Sequence, residues 1–227
     1  YEGKTFGLKS LFPNKAIGKH GELKEGENYD EESLQLMIPY SKAQVLSNIV
    51  SNIFEAKYVI DACAGIGGNT LGFLLNPKIR NVLAYESDRK RWIMLHNNLA
   101  EYDLVKITTA YNQNFAIGED LHLLDLSVEN PEKDTVVYFD PPWLAPGASV
   151  DKSNYLLTGI KVSGVTLEDW CRKLCHQQGY RGVILHLPRG YNLALPGQII
   201  DDHSSIKARI IYYSLDTKIV QAIQNSL

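Results

Sequence analysis

The sequence predicts an α/β fold: a mostly parallel, doubly wound sheet with helices on both faces, ending in an antiparallel hairpin. Three observations predict it. Short apolar runs alternate with longer stretches of helical period along most of the chain. A glycine-rich turn follows the first apolar run, as happens where a parallel strand feeds a helix. Two β-branched and aromatic runs near the C-terminus flank the polar turn Leu215-Asp216-Thr217.

Residues 1–40 form an N-terminal arm, in which Gly3, Gly7, Gly18, Gly21 and Gly26 interrupt any long element. Its early part leans basic, with Lys4, Lys9, Lys15, Lys19 and Lys24 against Glu2 and Glu22. Two readings stay open: a solvated arm, or a segment that folds over a substrate and contributes lysines to it. From residue 41 to 227 a single domain is expected. Ala43, Val45, Leu46, Ile49, Val50 and Ile53 recur at three- and four-residue steps, which predicts an amphipathic helix over 41–54. Residues 57–62 read as a buried strand ending in Asp61, and residues 70–75 as the helix after the glycine turn. A second strand over 81–85 ends at Glu86. The helix over 88–102 presents Trp92, Leu95, Leu99 and Tyr102 inward. Strands follow at 106–110 and 135–139, the latter ending at Asp140. Thr166 is placed to cap a helix over 166–177, with Glu168 and Asp169 in its first turn. A fifth strand spans 182–187, and the hairpin arms are read at 208–214 and 218–223. Asp201, Asp202 and His203 read as a loop cluster without a role.

Composition narrows the function classes. At 227 residues and 44% hydrophobic, the chain can bury one core. A net charge of −3 and a pI near 6.1 argue against a nonspecific polyelectrolyte binder, but local basic patches can still hold nucleic acid. Cys63, Cys171 and Cys175 make no even disulfide framework, so a reducing compartment is expected. Cys171, Cys175 and His176 share one helical stretch, which is poor zinc spacing, so core-facing thiols and no metal are expected. His186, inside a strand, is expected as a hydrogen-bonded interior residue rather than a base. No run approaches the ~20 apolar residues of a membrane span, and no signal-peptide pattern is read. The expectation is an intracellular monomer in nucleus or cytoplasm, a viral enzyme in a host cytoplasm included. The start at Tyr1 is expected of a trimmed N-terminus.

In doubly wound sheets ligands bind beyond the carboxyl ends of the strands. After the first strand the chain reads Asp61-Ala62-Cys63-Ala64-Gly65-Ile66-Gly67-Gly68-Asn69-Thr70, and roughly 20 residues on, Glu86 can accept two ribose hydroxyls. A dinucleotide pyrophosphate needs a helix N-terminus free of acids. Thr70 also stands where the last glycine of the dinucleotide fingerprint belongs. S-adenosylmethionine instead carries an ammonium and a sulfonium, which an acid such as Asp61 suits.

The fourth strand ends in Asp140-Pro141-Pro142-Trp143. Two prolines stop the strand and stiffen the loop. An aromatic amine attacks a methyl group poorly, because its lone pair is delocalised into the ring. Acceptors on both N–H groups, the Asp140 carboxylate and the Pro141 carbonyl, would localise that pair and aim it. Trp143 offers a face for a stacked base, worth about 1–3 kcal/mol.

These residues resemble the trimethylguanosine synthases, which methylate N2 of 7-methylguanosine RNA caps. The resemblance rests on the glycine loop with its Gly-Gly-Asn-Thr ending, Glu86 with Asp88, the Asn97–Tyr102 segment, Pro141-Pro142-Trp143, Leu187-Pro188-Arg189, and Lys207. It runs from about residue 41 to 215 and only loosely into the arm. It implies a Rossmann-like class I methyltransferase using S-adenosylmethionine, held by Asp61, Ala62, Gly65, Gly67, Asn69, Thr70, Glu86 and Asp88. It further implies a capped RNA or cap nucleotide as partner, with Trp143 stacked on the cationic guanine and Arg189 and Lys207 on the triphosphate. This chain departs from the family at Asp140, where the family has serine, and at Leu144 and Ala145, where it has glycines. Ala148 stands for an expected tyrosine, which Tyr155 could replace. Asn112 or Asn114 must hold the adenine amino group. Aspartate before two prolines is the usual form in N6-adenine enzymes, so that acceptor, like guanine N2 of ribosomal RNA, remains an alternative.

Overall fold

The computed structural model of the chain describes residues 6–116, 130–145, 147–148, 154–203 and 208–227. The N-terminal segment carries helix α1 (Leu8–Leu11), the short strands β1 (Ile17–Gly18) and β2 (Gly21–Glu22), and helix α2 (Glu31–Gln35). It contributes to the core, with Leu11, Phe12, Ala16, Leu23, Met37 and Ile38 all buried. Helix α3 (Tyr40–Asn52) then leads into the alternation β3 (Tyr58–Asp61), α4 (Gly68–Leu74), β4 (Asn81–Tyr85), α5 (Arg89–Glu101), β5 (Thr108–Tyr111) and β6 (Thr135–Phe139). A two-stranded flap, β7 (Lys161–Val162) and β8 (Val165–Thr166), precedes α6 (Leu167–Cys171), which continues as a π-helix over Arg172–Gln177. The chain closes with β9 (Gly182–Pro188), β10 (Ile199–His203), β11 (Ala208–Tyr213) and α7 (Thr217–Ser226).

The seven-stranded sheet runs β10-β11-β9-β6-β3-β4-β5. Its five strands from β9 to β5 are parallel, while β11 and β10 run antiparallel at one edge. Strand β3 sits between β4 and β6, so the strand order reverses there and opens a crevice at the carboxyl ends of β3 and β6. Buried residues form two clusters on opposite faces of the sheet. Every residue of β6 is buried, as expected of a central strand covered on both sides.

Local chemistry explains the element boundaries. Thr166 caps α6, its hydroxyl accepting from the Asp169 N–H at 3.2 Å. Asp88 caps α5 in the same way, through the Arg91 N–H at 2.9 Å. A Cβ on Gly72 would lie 2.7 Å from the Ala43 Cβ, so α4 packs this close to α3 only with glycine there. On α5, Leu95, Leu99 and Tyr102 are buried as predicted, and Met94 and Asn98 join them. Trp92 is only half-buried and donates to the Ala110 carbonyl at 3.0 Å.

Two expectations at the C-terminal end need correction. The terminal hairpin exists, but its arms are β10 and β11, so Asp201, Asp202 and His203 lie on a strand and not in a loop. Asp202 pairs across the hairpin with Arg209 at 2.8 Å, which explains charge on an edge strand. Residues 218–223 are helical within α7. Asp216 accepts the Lys218 N–H at 2.9 Å, and Ile219 and Ile223 bury one face a turn apart. Cys171 and Cys175 are buried, and burial raises both thiols above the usual cysteine range. No helix among the described residues is long and apolar enough to cross a membrane.

Candidate active site

A cavity of about 310 Å³ occupies the crevice where the strand order reverses. Its floor is the turn after β3, from Ala62 to Asn69, and its sides are the ends of β4 and β6 and residues 113–115 after β5. The N-terminal segment supplies a roof through Ser33 and residues 35–38, and the flap adds Lys161, Val162 and Ser163.

Backbone geometry fixes the acids. Gly67 opens α4 in the left-handed region, φ 98°, which glycine adopts without strain. Glu86 accepts the Gly65 N–H at 2.9 Å on one carboxylate oxygen and the Asp88 N–H at 2.7 Å on the other. Each oxygen keeps further lone-pair capacity for a ligand hydroxyl. Asp61 is fully buried behind the turn and accepts the Thr70 hydroxyl at 2.7 Å. Burial pushes its carboxyl up to about 7; the Thr70 hydrogen bond opposes this, and the Asp140 and Glu86 charges add to it. Burial likewise raises Glu86. Three carboxylates therefore share one crevice at a cost that a bound cation would relieve.

A raised folded-state value means that the native state holds a proton the unfolded chain releases above about pH 4. Stability from this group is therefore lost as pH rises from about 4 to about 7. Asp61→Asn is expected to become increasingly stabilising, relative to the unsubstituted protein, across that window and level off above it. Parallel melts without ligand at several pH values check this; a constant difference would refute it.

In the proline loop after β6 Pro141 is buried, and Asp140 lies with its Oδ2 3.0 Å from the Nδ1 of His186, a fully buried histidine on β9. The Tyr138 hydroxyl reaches the same oxygen at 3.5 Å. Trp143 donates its Nε1–H to the His186 carbonyl at 3.1 Å. Its ring makes T-shaped contacts with His186 at 4.9 Å and Tyr155 at 6.0 Å. Leu144 and Tyr155 form a bridge, so the strap holding Tyr155 runs alongside the loop.

Of the residues expected to meet a cofactor, Ala62, Gly65, Asn69, Glu86, Asp88 and Asn114 line the cavity, while Asp61, Gly67 and Thr70 support the turn from behind. Asn112 turns its amide to the Glu86 and Ser87 carbonyls at 3.1 and 3.3 Å, while Asn114 lines the cavity. Asp140, Pro141 and Trp143 line the same cavity, as does Tyr155. Arg189 is exposed in the turn after β9 and does not line the cavity. Lys207 lies outside the described residues.

Several lining residues were not read from the sequence. Cys63 and Phe115 follow strand ends and could have been found by that rule. Arg91 lines the cavity while paired with Glu32 of the N-terminal segment at 2.7 Å, and nothing local announces that. Asn98 could have been noticed as an amide within an apolar helical stripe. It is fully buried and donates to the carbonyls of Ile66 and Asn28 at 2.7 and 2.9 Å, tying the glycine turn to the roof.

The sequence profile of RNA cap guanine-N2 methyltransferases matches residues 56–225. The chain belongs to that family. This methyltransferase is 30% identical over 186 residues to the uncharacterized protein L320 of Acanthamoeba polyphaga mimivirus, over 72% of this chain and 67% of that one. Among solved structures it is similar to a putative methyltransferase from Porphyromonas gingivalis W83, with TM-score 0.55, 14% identity, and 82% and 43% of the two chains covered. It is also similar to the METTL16 methyltransferase domain lacking its N-terminal part, with TM-score 0.53, 12% identity, and 78% and 84% covered. These likenesses establish the Rossmann-like methyltransferase fold.

Proposed function

We propose that this chain transfers a methyl group from S-adenosylmethionine to the exocyclic N2 amine of a 7-methylguanosine RNA cap. The observation that carries the reading is the Asp140-Pro141-Pro142-Trp143 loop on the wall of the cavity whose floor is the glycine turn. Membership of the cap guanine-N2 family supports it.

The residues present fit the cofactor. The crowded carboxylates favour its cationic groups, and the buried Asn69 Oδ1, which has no hydrogen-bond partner among the described residues, is an acceptor available to its ammonium. Glu86 takes the ribose hydroxyls and Asn114 the adenine edge. Once bound, S-adenosylmethionine supplies an electrophilic methyl group on a sulfonium. Trp143 stacks on the cationic guanine. Asp140 and the Pro141 carbonyl accept the two N–H bonds of the amine, which localises the lone pair and orients it. No strong base is needed, because the nitrogen becomes more acidic as it gains the methyl. Ser33 and residues 35–38 of the N-terminal segment act as the cover over substrate and cofactor.

Radiolabelled methyl transfer to a 7-methylguanosine cap dinucleotide, the unmethylated cap and an adenine-containing oligonucleotide tests the reading. Transfer to the 7-methylated cap alone is expected. Transfer to the oligonucleotide instead would favour the adenine alternative that Asp140 itself raises. Arg189→Ala is expected to raise KM for a triphosphate-bearing cap by about tenfold, as for loss of one charged hydrogen bond. KM for 7-methylguanosine monophosphate should barely change. Equal effects on both would remove Arg189 from the phosphate site.

A further inference from the structure

A second concavity, about 560 Å³, lies on the N-terminal segment and the start of α3, outside the cavity described above. Phe6, Lys9, Lys15, Tyr40 and Lys42 line it, and none of its lining residues is acidic. Lys9 and Lys15 are exposed and Lys42 is half-buried. None of the three is ion-paired among the described residues, whereas Lys19, Lys24, Lys90 and Arg91 each have a carboxylate partner. In a chain of net charge −3, three unneutralised cations are thus gathered around one groove. Two half-buried aromatic rings, Phe6 and Tyr40, stand among them. Lysines interleaved with aromatic faces are what a single-stranded nucleic acid needs: charge for its phosphates and flat surfaces for its bases.

The groove also adjoins the active site along the chain. Residues 36–38 line the catalytic cavity, and residues 39–42, next along the chain, line the groove. A cap methylated in the first must lead its RNA chain away across the neighbouring surface.

We propose that this groove holds the single-stranded RNA that continues from the methylated nucleotide, its phosphates on Lys9, Lys15 and Lys42. The inference rests on an RNA acceptor, as argued above, and adds a site for the body of that RNA.

The test compares the unsubstituted protein with the triple variant Lys9→Gln/Lys15→Gln/Lys42→Gln. Substrates are a 7-methylguanosine cap dinucleotide and a capped 12-nucleotide RNA. KM for the capped 12-mer is expected to rise about tenfold, with KM for the dinucleotide unchanged, which also certifies the fold. The slope of log binding constant against log salt for the 12-mer should fall by about 2, since each single-strand phosphate neutralised contributes about 0.7. The corresponding triple arginine variant should restore the slope. An unchanged slope, or equal KM changes on both substrates, overturns the groove. An acidic peptide of equal charge competing as well as RNA overturns it too, in favour of an acidic protein partner. The uncapped 12-mer separates the two readings. Groove-dependent binding of it without methylation of any cap keeps the groove and discards cap chemistry; cap methylation with an intact slope does the reverse.

Discussion

Trp143→Ala is expected to lower kcat/KM on a 7-methylguanosine cap by about 100-fold while S-adenosylmethionine affinity changes by less than about threefold. Stacking is worth about 1–3 kcal/mol, a cation over the ring adds about 0.5–2 kcal/mol, and every 1.4 kcal/mol is tenfold. The substitution also removes a side chain that packs against both hydrophobic clusters and donates to the His186 carbonyl. Trp143→Phe separates these parts: it keeps an aromatic face but loses the N–H. Activity for Phe well above Ala, with cofactor titrations alike in both, would support stacking. Near-normal turnover of the Ala variant on a cap analogue would end that role.

Asp140→Ala is expected to cost about 100- to 1,000-fold in kcat, the range for deleting one preorganised polar group at a reacting centre. KM for the cap should change little, because the interaction matters most as the amine takes the methyl. The carboxylate is not held by its own backbone alone. His186 Nδ1 lies 3.0 Å from Oδ2, and the Tyr138 hydroxyl reaches it at 3.5 Å. Asp140→Asn keeps an oxygen acceptor in the same shape but without charge, so a smaller loss of kcat is expected than for Ala. Single-turnover rates on a saturating cap decide it, and a loss confined to KM would assign Asp140 to ground-state binding.

The parts of the fold that the sequence shows are those governed by local rules. Strand ends at Asp61, Glu86 and Asp140, the Thr166 cap and the fully buried 135–139 run depend on neighbouring residues, and the structure has them there. Failure came where composition and period disagreed. Residues 218–223 are rich in β-branched side chains, yet the four-residue step from Ile219 to Ile223 and the Asp216 cap decide for helix. Asp201, Asp202 and His203 read as a loop cluster yet lie on β10, because an edge strand tolerates charge that a central one does not. In the site, the glycine turn and proline loop were legible as strand-end motifs. The His186 contact with Asp140 was not, because partners 46 residues apart leave no local pattern.

Asn98 carries a consequence for anyone dividing this molecule. One buried amide fastens the Ile66 carbonyl of the glycine turn to residue 28 of the N-terminal segment, and Asn28 donates back to it at 3.0 Å. A cut at residue 40 would strip that amide of both its Asn28 partners and bare the apolar surface beneath Leu11, Phe12 and Ile38. Lid and floor behave as a single casting, and the smallest piece worth expressing begins well before the first strand of the sheet.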